Sequence, residues 1–136
     1  MISINGLEYI KRMAELQLDM IPGGVLFVYF EGDTIVWRKA STDFDIDLFQ
    51  IGDKMVEGSI AGEALRTNET ITRNIPRALY GIRMRTIAEP VVNDEGNAIG
   101  VFSIALPRLH PIARAFPDFA PIMADMFPEG SLLYVC

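Results

Sequence analysis

Apolar residues recur at three- and four-residue steps over residues 6–21, where Leu7, Ile10, Met13, Ala14, Leu16, Leu18 and Ile21 alternate with Glu8, Lys11, Arg12, Glu15 and Asp19. That spacing predicts an amphipathic helix, with Asn5 placed to cap it. Pro22-Gly23-Gly24 ends the helix. Residues 25–30 are apolar at every position, which predicts a strand covered on both faces and therefore interior to a sheet. Glu31-Gly32-Asp33 then turns the chain into a second strand over 34–39.

The alternation breaks after Lys39. "STDFDIDLF" carries a cap-like Ser41 or Thr42, and "GSIAGEALRT" predicts a short helix with Ala61, Ala64 and Leu65 turned inward. Strands resume over 70–75, 82–92 and 98–106, the last two folded about Asn93-Asp94-Glu95-Gly96. Gly96 supplies the positive φ of that turn and Gly100 makes room within a strand. Past Pro107 a helix is expected through 108–127, broken near Phe116 by Pro117 and Pro121. Residues 128–136 close the chain with another strand.

The division is thus an amphipathic helix over 1–21, a core over 22–107, a helix over 108–127 and a strand over 128–136. The fold class is α+β. One echo runs through it: "DMIPGGVL" at 19–26 and "DMFPEGSL" at 125–132 share Asp, Met, Pro, Gly and Leu at equal spacing. Two readings stand, a shared helix-to-strand turn composition, or the start of a second copy of the domain near Pro128, whose strand would need a partner from elsewhere.

Length sharpens this picture to a single domain, since 136 residues leave no room for a second full core. Half the residues are hydrophobic, enough for a buried core. The net charge of -6, with basic residues scattered from Lys11 to Arg114, lacks the footprint of a nucleic-acid binder. Cys136 is the only cysteine, which excludes an internal disulfide and a cysteine-based zinc site and fits a reducing compartment. Glu8, Lys11 and Arg12 interrupt the first apolar segment, so it does not read as a signal peptide. No apolar run reaches the roughly 18 residues of a membrane span. A cytoplasmic piece without membrane contact is expected.

Catalytic chemistry finds little to stand on. His110 is the lone histidine and has no neighbouring nucleophile or carboxylate motif, so it reads as a helix-terminal surface group rather than a triad member or haem ligand. Glu57, Glu63, Glu69 and Glu89 have no spacing that forces a pair, and "GNAIG" and "GIRMR" are not phosphate loops. No enzyme and no cofactor are expected. Arg83 and Arg85 alternate with Ile82, Met84 and Thr86 and so share a strand face, with Arg73 on the strand before. They are either surface cations paired to Asp or Glu, or a fork for a ligand carboxylate. Trp37, Tyr80 and Phe102, with Phe27, Tyr29 and Met84, are either plain core or the walls of an apolar pocket.

Three stretches, "PGGVLFVYFEGDTIVW", "IGDKMVEGSIAGEALRTNETITRNI" and "YGIRMRTIAEPVVNDEGNAIGVFSIAL", together resemble a PAS-like sensor domain. The segment "AEPVVNDEGNAIGVFSI" is similar to sensor regions of bacterial methyl-accepting chemotaxis proteins, in which an A-x-P-V/I-x-D-x-x-G-x-x-I/V-G hairpin recurs. The resemblance covers most of residues 20–107. It implies a five-stranded antiparallel sheet with short helices on one face, a pocket between them, flanking N- and C-terminal helices that pair two copies, and output through a signalling module of the same polypeptide. There is no Asn-Cys flavin motif and no histidine in the helical middle, so flavin and haem are not expected. The resulting expectation is a chemotaxis-type sensory domain for a small molecule, with Arg73, Arg83 and Arg85 as anion clamp and Trp37, Tyr80 and Phe102 as walls. The alternative is a PAS-like dimerisation or docking module with a filled core.

Overall fold

In the computed structural model, which describes residues 1–108, the chain opens with a two-residue strand, β1 (Ile2–Ser3). A 3₁₀ turn (Ile4–Gly6) leads into helix α1 (Leu7–Gln17). Asn5 does not cap that helix. Its amide Nδ2 instead donates to the Asp94 carboxylate at 2.8 Å, tying the start of the chain to a distant turn, and the cap position falls to Gly6.

Strands β2 (Leu26–Glu31) and β3 (Thr34–Ala40) follow as an antiparallel pair. The irregular middle holds a 3₁₀ turn (Thr42–Phe44) and α2 (Ile60–Thr67). After it come β4 (Ile71–Ile75), the single-turn α3 (Arg77–Tyr80), β5 (Met84–Val92) and β6 (Ala98–Pro107). The five strands foreseen from the pattern are present with ends shifted by one or two residues. The helix expected over 108–127 beyond Arg108, the strand over 128–136, the echo at 125–132 and His110 lie outside the described residues.

The fold is α+β in class but departs from the expected five antiparallel strands: among the described residues the sheet has six and is mixed. Its order runs β3, β2, β6, β5, and the outer edge of β5 is shared end to end. Antiparallel β4 covers residues 84–88, while β1 lies parallel against Val91 and Val92. The cause is length. Nine-residue β5 outruns five-residue β4, and backbone groups left on the far end find partners in the chain's first residues.

Both faces of the sheet are covered. On one, α2 and the 3₁₀ turn pack Phe44, Ala61 and Ala64 onto Leu26, Val28, Ile35, Met84, Ala88 and Val101. On the other, α1 lays Leu7 and Ala14 over Val25, Phe27, Tyr29, Val91 and Phe102. α2 and the 3₁₀ turn Thr42–Phe44 therefore lie on one face and α1 on its opposite.

α1 buries a narrower stripe than its apolar pattern promised. Leu7 and Ala14 are buried, whereas Met13 and Leu16 are 53% and 69% exposed. The turn that would bring Ile10 inward is occupied by Lys11, whose ammonium lies 5.4 Å from the Tyr29 ring centroid and 5.8 Å from that of Trp37. Its aliphatic stem covers apolar surface while the charge gains from the ring faces.

Two residues lock the corner where α1 meets the sheet. Of the two cap-like residues, Ser41 and Thr42, Ser41 takes the N-cap position of the 3₁₀ turn, but its buried hydroxyl makes no cap bond and instead donates to the Leu18 carbonyl at 2.5 Å and accepts from the Val25 N–H at 2.9 Å. Gly24, at φ +90°, passes so close to Phe44 that a Cβ there would stand 2.8 Å from the phenylalanine Cβ. Only glycine meets both demands.

Candidate ligand-binding site

The six candidate residues are dealt out to two faces. Arg73 stands opposite Thr86, and Arg85 opposite Asn74 and Leu106. Since cross-strand partners share a face and successive residues alternate, Arg73 points to the α2 side and Arg85 to the α1 side. Arg73 donates from Nη2 to Glu63 Oε2 at 2.7 Å, a contact half open to solvent. Arg83 precedes β5 and is exposed at the end of the sheet.

Trp37 and Phe102 do meet, at 5.7 Å between centroids, with Phe27 6.0 Å from Phe102. They lie beneath α1. Tyr29 belongs to this layer, and its hydroxyl has a pKa raised by burial and secondarily by Glu31. Tyr80 belongs to the other face, edge-on to Phe49 at 5.4 Å. The arginines and the aromatics therefore do not converge on a single pocket.

One reason escaped the pattern. Between Tyr29 and Phe30 the β2–β3 register slips, setting Tyr29 against Trp37 but Phe30 against Ile35. The extra residue is Val36, a bulge, so Ile35 and Trp37, two apart in sequence, enter opposite cores.

The α2 side carries a long irregular stretch of chain. Residues 45–59 contain no helix or strand, but backbone bonds tie them to the β2–β3 hairpin: Gly52 N–H donates to the Ile35 carbonyl at 2.8 Å, Ile35 N–H to the Asp53 carbonyl at 2.9 Å and Met55 N–H to the Asp33 carbonyl at 2.6 Å. Arg38, on β3, donates from Nη1 to Asp45 at 2.8 Å and from Nη2 to the Ile46 carbonyl at 2.6 Å. Its side chain is only 10% exposed, and its Nε has no partner among the described residues. Phe49 sits at φ +58°. A bulky residue in the left-handed region costs about 1–3 kcal/mol, held in place here by the Tyr80 contact. Sequence reasoning passed over both residues. The available signal for Arg38 was the run Asp43, Asp45, Asp47, acidic residues soon after a basic one on a strand.

Among the described residues no group of three His, Cys, Asp or Glu is placed to hold a metal, and no helix is long and apolar enough to cross a membrane. The chain matches no protein-family model and no curated protein.

Proposed function

We propose that this chain is a PAS-like sensory module of a cytoplasmic signal-transduction protein of the chemotaxis-receptor kind, binding a small molecule and passing the change to an attached signalling module. The observation that supports the reading is the irregular stretch 45–59, strained at Phe49, that folds over one face of a mostly antiparallel sheet. A ligand signals only by favouring one of two arrangements, typically by about 1–3 kcal/mol. Releasing Phe49 from φ +58° recovers strain of that order, so a second arrangement lies within reach of binding energy.

A thermal-shift screen of small acids, amines and nucleotides tests it. The expected hit stabilises by about 2.7 kcal/mol at 100 times its Kd, a rise of roughly 10 °C. It also slows amide exchange over 45–59. No stabilisation by any of the three classes would count decisively against the reading.

A second reading, a dimerisation module, is favoured by one observation. Tyr9, Met13 and Leu16 of α1 are 72%, 53% and 69% exposed, and they follow one another at steps of four and three residues. That is the spacing of a seam between two helices. A second copy of this chain would cover it through the same stripe. Sedimentation of the wild type should show a dimer, and Leu16→Glu a monomer with an unchanged melting temperature; a monomeric wild type at about 100 μM, far above the Kd of a stable dimer, sinks this reading.

A further inference from the structure

Where α3 meets the outer ends of β5 and β6, the surface opens into a groove of about 260 Å³ lined by Arg77, Gly81, Ile82, Arg83, Pro107 and Arg108. Three of its six lining residues are arginines in a chain of net charge -6. Their convergence is a product of register. Met84 pairs with Pro107, and one step further out the Arg108 N–H donates to the Arg83 carbonyl at 2.9 Å, which sets the two arginines against each other across the strands. Like charges directly opposite destabilise a sheet. Arg85, two residues further along the chain and outside the lining, adds a fourth positive charge. Gly81, at φ +77°, ends α3 with its N–H donating to the Arg77 carbonyl at 2.7 Å, and Arg77 lines the groove beside the pair.

The ion pairs among the described residues engage Arg38 and Arg73 but none of Arg77, Arg83 and Arg108. A counter-charge from solution would offset the repulsion, and a guanidinium fork matches carboxylate and phosphate oxygens two at a time. We propose that this groove is an anion-binding site for a small molecule bearing at least two negative charges on carboxylate or phosphate groups. It deepens the ligand-binding reading by giving the ligand class and by placing the clamp at Arg77, Arg83 and Arg108 instead of Arg73, Arg83 and Arg85.

The experiment is calorimetric titration of the whole chain with citrate, succinate and inorganic phosphate, each against sodium chloride at matched ionic strength. Saturable binding by at least one of the three is expected; citrate or succinate binding without phosphate binding identifies a carboxylate ligand, and the reverse a phosphate ligand. Arg83→Gln and Arg108→Gln should each weaken it about tenfold or more. Without anion, either substitution should hold or raise the melting temperature, because it removes a repulsion; that sign guards against mistaking misfolding for lost binding. Equal responses to chloride and to all three anions, or anion binding untouched by both substitutions, would overturn the site. A screening hit whose stabilisation survives both substitutions sinks the groove and leaves the sensory reading standing. Anion binding in the groove with no ligand effect on the amides of 45–59 supports the groove and tells against the sensory reading.

Discussion

Replacing Gly100 with alanine is expected to cost about 3 kcal/mol and to lower the melting temperature by roughly 10 °C. Gly100 lies on β6 opposite Glu31 of β2 and Val91 of β5, hemmed in by strands on both sides. A Cβ built on it would overlap the Phe30 carbonyl oxygen and come within 2.6 Å of the Tyr29 hydroxyl and 2.9 Å of the ring. The ring can swing aside; the carbonyl is fixed by the ladder. Relief therefore requires the β2–β6 pairing to open, which overpacking a dense core makes expensive. Gly6→Ala is the control, since nothing lies within 4 Å of the added carbon and the backbone there has φ -96°. That variant should stay within about 1 kcal/mol of the parent. A Gly100→Ala protein that melts with the parent would show that the sheet is not packed through this point.

Phe44→Ala carries the second large effect, a loss of about 3–5 kcal/mol. Phe44 is buried to 5% exposure and joins the 3₁₀ turn to the β2 and α2 residues of its core. The room it fills has been cleared by Gly24, so no neighbouring side chain stands ready to collapse into the space. In urea the midpoint should fall by roughly 2 M with an unchanged slope, taking a slope near 2 kcal/mol/M. Phe44→Leu should recover most of the loss. A fall of less than about 1 kcal/mol would mean that the middle of the chain is anchored elsewhere.

The strands were legible because their apolar runs are short, strongly patterned and bounded by Gly, Pro, Asn and Asp. Residues 25–30, apolar throughout, become β2 with both faces covered, and Asn93 to Gly96 become the β5–β6 turn. Pairing was the illegible part. β1 is two residues long and exists only because β5 outruns β4. The partition of Arg73 from Arg85 depends on which residue of β5 faces which of β4, and the meeting of Arg83 with Arg108 on the β5–β6 register. Val36 has no sequence mark as a bulge, yet it sends Trp37 into the opposite core from Ile35. On α1 two apolar stripes compete, and the aromatic layer chooses the one flanking Lys11, leaving Met13 and Leu16 outside.

The parallel pairing of Ile2 with Val91 joins residues about 90 positions apart. At synthesis rates of about 5–20 residues per second, the first turn of the chain has left the ribosome some 5–18 s before its partner strand has even been made. Throughout that interval the nascent α1 has only β2 and β3 to shelter its inward stripe, and the newborn chain cannot close its sheet until the β5–β6 hairpin has emerged.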